Sequence, residues 1–162
     1  MADPIATRTD EWLEANLSGS EKALVKGLRR IGVHAGFILP FIRERGKCGY
    51  CGRDLIRDRL AYAVGQVDHL LPKGKYGKLA NEPDNWVLCC RLCNETKGQR
   101  VPDTVPKDQD EAKKLVTDPE LRERLIEAIR NDNAEGLKGK RSEWAAVKKL
   151  CKHLPEFELL DP

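Results

Sequence analysis

Hydrophobic and polar positions divide the chain into three stretches of different texture. Over residues 1–45 apolar side chains recur at helical spacing, as in Phe37, Ile38, Phe41 and Ile42, and predict packed helices. Thr9, followed by Asp10 and Glu11, and Ser20 stand where helix caps belong. Gly32, Gly36 and Pro40 interrupt the pattern between Ile31 and Arg45. Over 46–106 the runs are shorter and β-prone. Ala61 to Val67 and Trp86 to Leu88 read as strands, with a loop rich in Lys and Gly from Pro72 to Asp84 between them. Cys90 to Lys97 suits a short helix stopped by Gly98. Over 107–162 the helical period returns. Asp118-Pro119-Glu120 supplies a cap, a first-turn proline and an acid, and Leu121, Leu125 and Ile129 follow on one face. Ser142-Glu143 marks the start of a last helix carrying Trp144, Val147, Cys151 and Leu154.

Composition bounds this picture. The chain has 162 residues, 40% of them hydrophobic but only 6% aromatic, so its modest core is mainly aliphatic. No apolar run approaches the roughly 18 to 20 residues of a membrane helix. Met1-Ala2-Asp3-Pro4 lacks the basic and apolar regions of a signal peptide, and a cytoplasmic protein is expected. The net charge is only +3, but it is unevenly spread. Between Arg43 and Lys107 there are 13 Lys and Arg against 8 Asp and Glu, so the positive excess lies in the central stretch, where a polyanion would be held.

That stretch also holds five of the six cysteines. Cys48-Gly49-Tyr50-Cys51 and Cys90-Arg91-Leu92-Cys93 are two CxxC knuckles, a donor set that suits one tetrahedral zinc. Gly49 and Gly52 relieve the tight turn of the first knuckle. Such sites stabilise small folds strongly, with apparent zinc affinities of roughly 10 to 16 kcal/mol in short peptides. Cys89 competes with Cys90, but only Cys90 leaves two residues before Cys93. Cys89 and Cys151 are therefore expected to be free, buried thiols. The knuckles are 38 residues apart, well beyond the roughly 15 to 20 of an ordinary two-knuckle site, so something is inserted between them.

The insertion carries Asp68-His69-Leu70-Leu71-Pro72, then Asp84-Asn85-Trp86, and beyond the second strand comes Cys93-Asn94-Glu95-Thr96-Lys97-Gly98. With the CxYCG knuckle, this DH-x-x-P element and the CNxxKG ending, residues 37–100 resemble the HNH endonucleases of the ββα-metal class. The resemblance implies an α+β fold. A ββα-metal core over 46–106 would be stapled by a four-cysteine zinc site and flanked by helical segments at 1–45 and 107–162. It also implies hydrolysis of DNA phosphodiester bonds to a 5′-phosphate and a 3′-hydroxyl. His69 would be the general base, since imidazole, with a reference pKa of about 6.5, can accept a proton near neutral pH. Asp68 and Asn94 would hold one divalent ion, Mg²⁺ or Mn²⁺, through hard oxygens. Asn85 would brace the loop that aims the imidazole. The last position is Asn94 where the family's lettering has His, which leaves the choice of metal less defined.

Lys73, Lys75, Lys78, Arg91, Lys97 and Arg100 are candidate phosphate contacts, and Tyr76 is a weaker candidate for stacking on sugar or base. His34 and His153 fall outside the pattern. A non-catalytic zinc-dependent nucleic-acid-binding module and an RNA-preferring nuclease are the rival readings. A protein partner supplying selectivity or activation, in a defence, restriction or mobile-element system, would suit a nuclease with no evident base-reading motif.

Overall fold

A computed structural model describes residues 4–151. Three helices lead the chain: α1 (Pro4–Asn16), α2 (Gly19–Arg30) and α3 (Ala35–Arg43). After the first knuckle come the short α4 (Arg59–Ala63), strands β1 (Gly65–His69) and β2 (Trp86–Cys90), and α5 (Arg91–Lys97). Two more helices, α6 (Gln109–Thr117) and α7 (Pro119–Cys151), complete the described chain. The expected α+β architecture is present, with a two-stranded antiparallel sheet at its centre. The pairing runs from Gly65 opposite Cys90 to His69 opposite Trp86.

The sheet is covered on both faces. Trp86 packs with Ile38 and Leu39 of α3, Leu13 of α1 and Val25 of α2. Val87, on the opposite face, belongs to a larger cluster with Leu55, Leu70 and Leu71, and with Val116, Leu125, Ile126 and Ile129 of the last two helices. Period-two alternation puts Gln66 and Asp68 on the face opposite Val67 and His69, and α5 lies over the Gln66 and Asp68 side. Gly136 lets α7 close onto α5, because a Cβ there would lie 2.5 Å from Thr96 Cγ2.

Several local expectations are corrected. The residues Ala61 to Ala63 are helical and the strand begins at Gly65. Asp58 caps α4 by accepting from the Ala61 N–H, and a short apolar run does not distinguish strand from helix by itself. Thr9 lies inside α1, which starts at Pro4, a residue whose fixed φ suits a first helical position. Ser18, not Ser20, precedes α2, and its N–H donates to Glu21 Oε2 over 2.9 Å. Helix α3 runs through Gly36 and Pro40, because burial of Ile38 and Leu39 outweighs the breakers. No new helix starts at Ser142, since α7 continues unbroken for 33 residues. Asp118 does cap α7, accepting from the Glu120 and Leu121 N–H groups. Of the last stripe, Val147 is exposed, Leu154 lies outside the described residues, and so do the side chains of Trp144 and Cys151.

Candidate active site and cysteine centre

The first knuckle is built by the backbone. Cys48 N–H donates to Arg53 O, Gly52 N–H returns to Cys48 O, and Gly49 N–H docks on Leu88 O of β2 at 2.8 Å. Gly52 takes φ +71°, a left-handed conformation that closes the turn without a Cβ penalty. The second knuckle forms where β2 ends: Cys90 precedes α5, and Cys93 sits in its first turn. The sulfurs of Cys48, Cys51, Cys90 and Cys93 all lie within 4.8 Å of one another, with Cys51 Sγ 3.9 Å from Cys90 Sγ. Four sulfurs at about 2.3 Å from a shared zinc would be just under 4 Å apart, so the donor set fits that ion. Hydrogen bonds within the crowded cluster, Cys48 first, hold the Cys51 thiol well below its ordinary range and push Cys90 above it. Cys89 stands apart. It is fully buried, and burial, followed by the Asp68 charge, pushes its thiol up, as expected of an inert cysteine.

Helix α7 braces this centre. Asn133, 1% exposed, donates to Cys93 O over 3.3 Å, and Arg130 donates to Gly49 O over 3.0 Å.

The DH pair ends β1. Asp68 Oδ2 accepts from the Tyr50 hydroxyl at 2.7 Å and pairs with Lys97 Nζ at 2.9 Å. Lys97 also donates to His69 O over 2.8 Å, so one ammonium holds both residues of the pair. On the same face, Asn94 Nδ2 donates to Gln66 Oε1 at 2.8 Å. Asn94 and Lys97, three apart on α5, thus meet Gln66 and Asp68, two apart on β1. The contacts on Asp68 fall on Oδ2 and that on Asn94 on Nδ2, so each residue keeps a hard oxygen for a cation. Both are the oxygen donors that a divalent ion takes, although the Lys97 ammonium already balances the carboxylate.

His69 Nε2 lies 2.9 Å from Ala80 O. A carbonyl only accepts, so Nε2 is the donor, and in the neutral imidazole the lone pair is then on Nδ1. Trp86 Nε1 donates to the same oxygen at 2.9 Å. Asn85, 0% exposed, closes the intervening loop. Its Oδ1 accepts from Leu71 N, and its Nδ2 donates to Leu71 O and Leu79 O at 3.0 Å. Every polar atom of that amide is used, as a loop brace requires.

The candidate phosphate contacts divide. Lys73, Lys75 and Arg100 are exposed, Lys78 lies 3.9 Å from Asp110, and Arg91 is engaged with Glu95 at 2.6 Å. Lys97 is corrected: it is 2% exposed and committed to Asp68 and His69, because an unpaired carboxylate at that depth would be costly. Tyr76 is also interior, donating its hydroxyl to Pro106 O, so it offers no stacking face. The sequence reading missed Tyr50 and Gln66, although Tyr50 stands inside the first knuckle and Gln66 is two residues from Asp68. Arg43 and Arg122, which bond to the backbone around Asn85, carry no signal in the sequence at all.

No curated protein and no solved structure matches the chain. Residues 48–100 match the family model described as HNH endonuclease, from the first cysteine of the first knuckle to just past the Gly98 that ends α5. With the two strands, the following helix and the cysteine cluster in place, residues 48–100 of this chain are similar to the HNH endonuclease family.

Proposed function

We propose that this protein hydrolyses DNA phosphodiester bonds, with His69 as general base and a divalent ion held by Asp68 and Asn94, while the four cysteines hold a structural zinc. The observation that carries this reading is the contact of His69 Nε2 with Ala80 O, which leaves Nδ1 as the proton acceptor. In the proposed reaction Nδ1 takes a proton from water as the water oxygen bonds to phosphorus. The P–O3′ bond breaks, its electrons stay on the 3′-oxygen, and solvent supplies the proton that makes the 3′-hydroxyl. The other product keeps the 5′-phosphate. A divalent ion, when bound, supplies charge stabilisation to the phosphate and the leaving oxygen. Asn85 keeps the Leu79–Ala80 segment in place and so aims the imidazole. Exposed Lys73, Lys75 and Arg100 would neutralise flanking phosphates.

The test is incubation of purified protein with plasmid, single-stranded DNA and RNA in the presence of Mg²⁺, Mn²⁺ or EDTA. Cleavage of plasmid that needs the ion and falls about 100- to 10,000-fold in His69→Ala supports the reading. Cleavage of RNA alone would reassign the substrate. Binding with no cleavage under any condition would favour a non-catalytic module.

A further inference from the structure

We infer that Arg122, on α7 and outside the matched stretch, is a positioning residue for His69, acting through the backbone on both sides of Asn85. Its Nε donates to Asp84 O at 3.0 Å and its Nη2 to Trp86 O at 3.1 Å, so one guanidinium spans the residue between them. Arg122 is 8% exposed, and Glu44 Oε1 lies 3.1 Å from Nη2. Arg43 on α3 reinforces the same span from the other side of the sheet, donating to Trp86 O and, at 3.3 Å, to Pro83 O. Asp84, which accepts from Arg43 and from Trp12 Nε1, balances the second cation.

The linkage runs without a gap from α7 to the imidazole. Arg122 fixes the carbonyls flanking Asn85, and Asn85 fixes Leu71 and Leu79. Next to Leu79, Ala80 O holds His69 Nε2 while accepting from the indole of Trp86, whose own carbonyl Arg122 grips. A planar fork can hold two carbonyls at once, and a lysine ammonium is a point charge that cannot reproduce that geometry. The inference rests on the reading of His69 as the base.

The experiment uses the full chain with Arg122→Lys, and Arg43→Lys as a second variant should the first not fold. Leu121→Ala, a half-buried neighbour on α7, serves as the stability control. Zinc content and melting are recorded first, then the ¹⁵N resonances of the His69 imidazole, then kcat and KM on plasmid with Mg²⁺. The expected result is a folded, zinc-loaded Arg122→Lys protein whose His69 loses its fixed Nε2–H tautomer. Its kcat should fall on the order of 100-fold, the scale of a small misplacement at a reacting centre, with KM nearly unchanged. Leu121→Ala should lower the melting temperature without changing the tautomer or kcat. Wild-type His69 resonances and wild-type kcat in a folded Arg122→Lys or Arg43→Lys protein would overturn the inference. If the wild type itself does not cut, the nuclease reading fails, and the imidazole resonances still decide the positioning role.

Discussion

Tyr50 donates its hydroxyl to Asp68 Oδ2 across 2.7 Å, tying the first cysteine knuckle to the end of β1. Burial, and then the Asp68 charge, hold its phenol well above the ordinary range, so the hydroxyl stays a donor. Tyr50→Phe removes that bond without opening a cavity. It should cost about 1.5–3 kcal/mol, as for a buried hydrogen bond to a charged group. Chemical unfolding reads the loss, and zinc content should not change. An unaltered unfolding midpoint would mean that the bond contributes nothing.

The buried pair of Asp68 and Lys97 makes a sharper stability prediction. Lys97→Met leaves a carboxylate at depth with Tyr50 as its remaining donor, and should cost about 3–5 kcal/mol. The double variant Asp68→Asn with Lys97→Met should recover much of that, because no buried charge remains. Equal losses in the single and double variants would argue against coupling between the two residues.

Binding of DNA separates buried from exposed cations. Lys73→Ala and Lys75→Ala should each lower the slope of log affinity against log salt by about one, while Lys97→Met should leave it unchanged. Filter binding with a fixed duplex over a salt series measures this. A reduced slope for Lys97→Met would place its ammonium on a phosphate after all.

Metal should distinguish the two centres. One zinc per chain is expected, and Cys90→Ala should lose it and unfold at low temperature. Cys89→Ala should keep the zinc at a cost of about 1 kcal/mol, the scale of one buried methylene. Elemental analysis and melting read both. Zinc retained at full stability in Cys90→Ala would remove the cysteine centre from the fold's foundations.

The second ion should behave differently. Lys97 neutralises Asp68, so the protein alone offers a cation little net charge, and on the proposed function the DNA phosphates would supply the rest. Mn²⁺ binding to His69→Ala, followed by electron paramagnetic resonance, should be weak without duplex and much tighter with it. Equal affinity in both conditions would contradict this account.

The knuckles were readable in the sequence because their chemistry depends on residue type at close spacing, and the DH pair, Asn85 and Asn94 stand out in it on the same ground. The structure brings Asn94 to Gln66, on the strand that ends in Asp68 and His69. What escaped was set by long-range contact. Lys97 reads as one more cation beside Arg91 and Arg100, and only the packing of α5 on β1 reveals its burial. Ala61 to Ala63 looked like strand because burial pattern is ambiguous in so short a run, and the Asp58 cap decided it. Arg122 is 38 positions from Asp84 and 36 from Trp86, so no local pattern announces it.

The cluster that contains Cys48, Tyr50 and Leu70 also contains Val105, Val116, Leu125, Ile126 and Ile129, all beyond residue 100. Residues 48–100 lifted out alone would therefore bare an oily flank and strip Asn133 from the carbonyl of Cys93. The stretch that matches the family model is thus not a portable cassette. A minimal fragment or a fusion has to carry α6 and the start of α7 as part of its hydrophobic interior. Graft boundaries drawn at the motif's edges would yield a chain that aggregates before it can be assayed.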